Sequence, residues 1–199
     1  MIVDSPWAVG ALALATFVAI VTVLGLVIWS IRRHRDPDLK IECDVGIEEL
    51  LPTLAGLTLG TVVEGNSVEI LENGKFWDAV IERIEKSKHS VHYETFLWKE
   101  GRLGQRMADA FSRKAREGLA VRLVLDANGC KKMGKAVREQ MRAAGCKLAL
   151  YHPWTLRNLG VMLERDHRKI CVVDGRVAWV GGHCIVDGWL GDARHHGEV

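Results

Sequence analysis

Apolar side chains fall into three different patterns along this chain, and each predicts a different kind of element. From Trp7 to Trp29 there are 23 consecutive positions without a charged side chain. As an α-helix that run is about 33 Å long, enough to cross a hydrocarbon core of roughly 30 Å. Further on, Ile47, Leu50, Leu51 and Leu54 recur at helical spacing with Pro52 interrupting them. That stretch reads better as a linker packing on a following domain than as a short helix on a membrane surface. After Gly65 the punctuation becomes regular. Ser67 to Leu71 reads as a short strand, and Lys75 to Lys86 as an amphipathic helix with Phe76, Ala79, Val80 and Ile84 on one face. Val91 to Trp98, rich in β-branched and aromatic residues, reads as a strand. Leu103 to Arg116 is a helix stopped by Gly118, Ala120 to Asp126 a buried strand, Lys135 to Ala144 a helix stopped by Gly145, and Lys147 to Tyr151 a strand. Lys169 to Val173 and Val177 to Val180 flank Asp174-Gly175, a hairpin signature. Alternating strands and helices closed by a hairpin predict an α/β fold with a mixed sheet.

Charge decides what the long apolar run is. Asp4 is the one charge before it, and Arg32, Arg33, His34 and Arg35 follow it. Positive charge stays on the cytoplasmic side, so the reading is a single-pass anchor in the inner (plasma) membrane, with the N-terminus outside and the bulk of the chain cytoplasmic. A cleaved signal peptide fits poorly, because the run is too long and its basic flank lies on the wrong side. Residues 1–35 are then the anchor with its basic flank, 36–65 a linker or membrane-surface segment, and 66–199 one domain of ordinary size. Hydrophobic residues make up 48% of the chain and charged residues 26%, a globular composition. A net charge of +2 gives no reason to expect nucleic acid as a partner. The five cysteines (Cys43, Cys130, Cys146, Cys171, Cys184) are odd in number and unpaired in spacing, so reduced, buried thiols are expected. His183-Cys184 and His167-x3-Cys171 lack ligand-pair spacing, and no metal site is expected.

The chemistry concentrates in Asp166-His167-Arg168-Lys169-Ile170-Cys171-Val172-Val173-Asp174-Gly175. Side chains two apart on a strand share a face, so His167 and Lys169 point the same way at its start. An imidazole beside an ammonium suits attack on a phosphate diester: the histidine acts as nucleophile or proton carrier, and the lysine holds non-bridging oxygens. A carboxylate such as Asp174 can orient an imidazole and stabilise its cation. The bland alternative is a basic strand start on a solvated edge.

His167-x-Lys169-x4-Asp174, followed six residues later by Gly181-Gly182, resembles the HKD signature of the phospholipase D superfamily. Within it, the chain is most similar to bacterial cardiolipin synthases. Gly65 to Leu71 with Asn73-Gly74, Val91 to Trp98, Gly118 to Asp126 and Ile185 to Gly191 resemble that group's successive core segments, together covering roughly Gly65 to Asp192. The resemblance implies a phospholipase D-like α/β/α half-domain. It implies that His167 forms a phosphohistidine or protonates the leaving group, that Lys169 binds the phosphate, and that Asp174 supports the site from behind. It implies no cofactor and no metal. The implied reaction passes the phosphatidyl group of one phosphatidylglycerol to a second and releases glycerol.

The chain also departs from that pattern. Members use two such motifs and this sequence holds one, since His152 and His195-His196 lack Lys and Asp partners. The expectation is a first half whose second motif comes from a missing C-terminal half. The alternatives are a second copy of the chain, as in a homodimeric phosphodiesterase or nuclease, and an inactive truncated member. Cys184 stands where many members carry Asn. Glu94, on one strand face with His92, reads equally as a candidate near the site that tunes His167, where the family often has an acid, and as a structural hydrogen-bonding residue. Gly181 and Gly182 read as permitting close backbone approach to a substrate. Lys131, Lys132, Lys135 and Arg138 form a basic stretch read first as a solvated face and second as a lipid-headgroup patch. Trp77, Trp98, Trp154, Trp179 and Trp189 are expected mostly in core or interface packing, with Trp154 the candidate among them for a lipid-facing residue.

Overall fold

A computed structural model describes residues 6–33, 46–72, 75–158 and 160–191. Arg35, Cys43, Asn73-Gly74 and His195-His196 lie outside the described residues. The chain divides into two compact units, Met1–Ser67 and Val68–Val199.

The first unit holds α1 (Pro6–Arg33) and α2 (Ile47–Thr58). Proline at the first position of α1 costs nothing, because its missing N–H would have no helical partner there. Within α1, Pro6–Ser30 is long and apolar enough to span a bilayer, and none of its apolar window is buried inside the protein. Its two hydroxyls are satisfied within the helix, Thr16 Oγ1 donating to Leu12 O and Thr22 Oγ1 to Val18 O, each at 2.8 Å. α2 forms despite Pro52 and ends where Leu59 turns left-handed at φ 52°. The periodicity of Ile47, Leu50, Leu51 and Leu54 thus marks a helix, the reading the sequence had placed second. None of its residues is buried.

One expected strand does not form. Residues 67–71 have no regular structure, and Val68 and Ile70 are 91% and 84% exposed. Alternating apolar residues make a strand only where a sheet edge and a core receive them. This segment pairs with neither edge of the sheet.

The second unit is built on a five-stranded mixed sheet in the order β3-β2-β1-β4-β5. β1 (Ser90–Thr95), β2 (Ala120–Asp126) and β3 (Lys147–Tyr151) are parallel. β4 (Lys169–Val173) runs antiparallel beside β1, and β5 (Val177–Val180) returns antiparallel to β4. Their hairpin has the Asp-Gly geometry read from the sequence, with φ 55° at Asp174 and 65° at Gly175. Alternation sets the core: Val91, Tyr93 and Thr95 of β1 and Val121, Leu123 and Leu125 of β2 point inward. They meet α3 (Lys75–Glu85), α4 (Arg102–Arg116) and α5 (Lys135–Ala143) through Trp77, Val80, Ile84, Leu103, Met107, Phe111, Val137 and Met141. The buried face of α3 is led by Trp77, with Phe76 only partly covered. Trp98 is fully buried, Trp179 and Trp189 pack on the core, and Trp154 is exposed. The helices cover one face of the sheet. On the other, His92 and Arg122 are exposed and Glu94, Val124, Ile170 and Val172 half-buried, with no second helical layer among the described residues.

Candidate active site

The sheet brings the sequence-marked residues to one end. β1, β2 and β3 finish there at Thr95, Asp126 and Tyr151, and antiparallel β4 begins there at Lys169. β5 ends there as well, because Val180 pairs with Ile170 and leads into Gly181-Gly182. The carboxyl ends of parallel strands are where open α/β sheets bind ligands.

His167 and Lys169 meet on a third residue, Phe96. Just past the end of β1, its N–H donates to Arg168 O at 3.1 Å, locking it opposite the motif. The His167 ring lies against the Phe96 ring, centroids 4.7 Å apart at 51°. The Lys169 ammonium sits 5.2 Å from the same centroid and donates to His167 O at 2.5 Å. The aromatic face attracts the cation and the backbone carbonyl aims it. His167 is exposed and Lys169 half-buried, so the pair is open to a phosphate from solvent. Phe96 is fixed from below by the turn after β2. A Cβ on Gly129 would stand 1.9 Å from Phe96 O, so only glycine permits this approach.

A buried carboxylate sets the lead-in to His167. Asp126 is fully buried and accepts the N–H groups of Asn128 (2.9 Å) and Gly129 (2.7 Å) on one oxygen and of Asp166 (3.0 Å) on the other. The Arg165 guanidinium lies 3.5 Å away and supplies compensating charge. Sequence reasoning marked Asp126 only as the end of a strand. The Asp-x-Asn-Gly pattern, whose side chain bonds amides two and three residues on, was the available signal.

Glu94 does not face His167. It pairs with Arg168, between the two motif residues, at 3.3 Å, on the opposite side of β4 from Lys169. Burial, and then the neighbouring Asp166 carboxyl, hold the Glu94 carboxyl above its usual range, with Arg168 opposing. Asp166 Oδ2 is buried without a donor from an amide, hydroxyl or cation.

Asp174 also lies apart from the imidazole, at the far end of β4. Its carboxylate accepts the N–H groups of Lys88 (3.0 Å), His89 (2.8 Å) and Ser90 (3.0 Å), which start β1. Those amides, Ser90 foremost, pull its pKa down to about 2. Asp187 does the same for α4, accepting Arg102 N–H at 2.9 Å and Leu103 N–H at 2.8 Å. The paired glycines are exposed and neither has positive φ. A Cβ on Gly182 would meet nothing within 4 Å, and one on Gly181 only His183 Nδ1 at 3.9 Å. Among the described residues no contact requires them, and they leave open room beside Lys169. Cys184 is buried next to them. Burial raises its thiol pKa, with Lys169 the first opposing influence. Cys130 and Cys171, pushed up to about 12 by burial, and Cys146, to about 11, are thiols kept protonated.

Comparison with known proteins gives the family of the chain. Residues 80–187 match the family described as "Cardiolipin synthase, PLD-like domain". The major cardiolipin synthase ClsA of Bacillus subtilis is 32% identical over 130 residues, covering 64% of this chain and 27% of that protein. A cardiolipin synthase of Geobacillus kaustophilus is 35% identical over 130 residues (64% and 26%), and cardiolipin synthase 2 of Bacillus anthracis 32% over 168 (82% and 32%). The chain thus spans about a quarter to a third of these relatives. Among solved structures, Nuc from Salmonella typhimurium, a phospholipase D family member, is similar with a TM-score of 0.43 at 17% identity, covering 56% of this chain and 65% of that one. With over half of its length matched by the family model, the chain belongs to the cardiolipin synthase, phospholipase D-like domain family.

Proposed function

We propose that this chain is the membrane-anchored first half of a phosphatidyltransferase of cardiolipin synthase type. The observation that carries the reading is His167 and Lys169 held side by side on Phe96, exposed at the carboxyl end of the sheet. Lys169 takes the non-bridging oxygens of a phosphatidylglycerol diester, and a ring nitrogen of His167 attacks phosphorus. The bond to the glycerol headgroup breaks, and the headgroup oxygen takes a proton and leaves as glycerol. The phosphohistidine formed is then attacked by a hydroxyl of a second phosphatidylglycerol, whose proton leaves as the phosphorus–nitrogen bond breaks. Two phosphatidylglycerols become one cardiolipin and one glycerol. The proton donor and base of these steps is a second motif, from further chain or a second copy. Asp174 acts at a distance here, by anchoring the start of β1. The length and apolar composition of α1 support an anchor in the bacterial inner membrane, and the arginines after it in the sequence support a cytoplasmic catalytic part.

The test is to supply phosphatidylglycerol vesicles to the longest reading frame containing this chain and follow cardiolipin and glycerol. His167→Ala and Lys169→Ala should each lower formation of both by 10³-fold or more, an order-of-magnitude expectation for loss of a nucleophile or its charge partner. Phosphatidic acid in place of cardiolipin, with water as acceptor, would replace this reading by phosphodiester hydrolysis.

A further inference from the structure

The same end of the sheet carries an apolar surface that the reaction does not use. After β3 the chain leaves the sheet and returns at Glu164, and the two ends of this excursion are pinned together. His152 Nδ1 lies 3.4 Å from Glu164 O and 3.8 Å from its carboxylate, and Tyr151 stacks on His152 with centroids 3.9 Å apart. Ends held close over a self-bonded segment, here with Asn158 Nδ2 donating to Pro153 O at 2.7 Å, are the geometry of an Ω-loop. Three of the loop's large apolar side chains are exposed. Trp154 is 64% exposed, Leu156 87% and Leu163 86%. Lys131, from the turn after β2, places its ammonium 5.4 Å from the Trp154 ring centroid, and the neighbouring Lys132 is exposed. Of the acids nearby, Glu164 lies against His152, Glu94 pairs with Arg168, Asp126 and Asp166 are interior, and exposed Glu100, whose N–H donates to Lys132 O at 2.7 Å, has its carboxylate against Gly134. From Glu164 the chain runs through Arg165 and Asp166 directly into His167.

We infer that Trp154, Leu156 and Leu163, with Lys131 beside them, form a docking surface that inserts into the headgroup region of an anionic phospholipid bilayer. Tryptophan prefers that boundary, leucines at a loop tip reach below it, and a lysine at the base stays level with the phosphates. Charge complementarity selects an anionic membrane over a zwitterionic one. The inference rests on the functional reading in one respect, that the substrate is a lipid of that membrane. It adds that the loop, separately from α1, brings His167 to the lipid phosphates.

The test uses the full chain in nanodiscs made with and without phosphatidylglycerol, in a Cys43→Ser background. Nitroxide labels are placed singly by Leu156→Cys, Leu163→Cys and, at the opposite end of the sheet, Arg176→Cys. With phosphatidylglycerol, power-saturation measurements should place the labels at 156 and 163 about 5 to 10 Å below the phosphates, with that at 176 in water. Lys131→Glu should reduce the immersed population about tenfold or more, because it reverses a charge at the surface. Labels at 156 and 163 that stay in water with phosphatidylglycerol overturn the inference. So does protection in detergent that grows with protein concentration, which would put a second copy on the loop. Lipid products are followed in parallel with the longest reading frame containing this chain: immersion without any product from that frame supports this surface while removing the transferase reading, and product without immersion does the reverse.

Discussion

The ring of Phe96 holds an imidazole at 4.7 Å and an ammonium at 5.2 Å. It is a positioning residue, since its contacts are with His167 and Lys169. A misplacement of about 1 Å in a reacting group can cost on the order of a hundredfold in rate. Phe96→Leu is therefore expected to lower kcat for cardiolipin formation about ten- to a hundredfold with little change in KM, and Phe96→Tyr to restore it. A purely structural role would show instead as lost folded protein, and failure of Tyr to rescue would count against the ring as platform. Phe96 lay inside a run whose aromatic and β-branched residues read correctly as a strand. Its role was invisible there because the ladder stops at Thr95, and the ring is claimed by residues from the other side of the fold. His167 and Lys169 were legible because their common face follows from strand geometry alone. Glu94 was legible as a strand residue near the motif, but which side of β4 it served depended on the register Glu94↔Ile170.

At the scale of elements, three aspartates act alike: each uses its carboxylate to hold backbone amides, Asp174 at the start of β1, Asp187 at the start of α4, and Asp126 at the lead-in to β4. The Asp174 turn was legible, since Asp-Gly tolerates the two positive φ values a tight hairpin needs. Its grip on β1 was not, because the amides it holds lie 84 to 86 positions upstream. The false strand at 67–71 errs the other way, with a good local pattern and no neighbour to complete it. Asp174→Asn keeps a side chain that accepts φ 55° but removes the charge, and should cost about 1 kcal/mol locally. The readout is hydrogen exchange at the amides of Lys88, His89 and Ser90, each losing protection at neutral pH. The sign follows from a depressed carboxylate. Its stabilisation is fully present above the unfolded value near 3.9 and is lost as pH falls through the folded value of about 2. The difference between wild type and variant should therefore be constant above pH about 4 and close toward pH 2. A difference that persists at pH 2 would assign the effect to backbone geometry instead of charge.

For the molecule as a whole, the division into two units makes membrane attachment separable from the catalytic scaffold. Between α2 and α3 the described chain, residues 60–72, has no regular structure, and its apolar side chains at 68 and 70 are almost wholly exposed. Backbone without ladder or helix bonds and without burial is where proteases cut first. The sheet unit, with Trp77, Trp98, Leu103 and Phe111 fully buried, should resist. Brief treatment of the membrane-bound chain with a nonspecific protease is expected to cut within Gly60 to Glu72 and leave a resistant fragment carrying α3 through β5. Where that fragment goes separates two kinds of attachment. If α1 were the whole attachment, the fragment would leave every membrane on cleavage. If the loop bearing Trp154, Leu156 and Leu163 also docks, the fragment leaves zwitterionic membranes at any salt but stays on phosphatidylglycerol membranes until ionic strength is raised. Attraction between Lys131, Lys132 and the leaflet falls off within a Debye length, about 10 Å at 0.1 M salt and about 3 Å at 1 M. Sedimentation of membranes at low and high salt after cleavage, with fragment identity read by mass, measures this directly. Release from anionic membranes at low salt would count against the loop and leave α1 as the whole attachment.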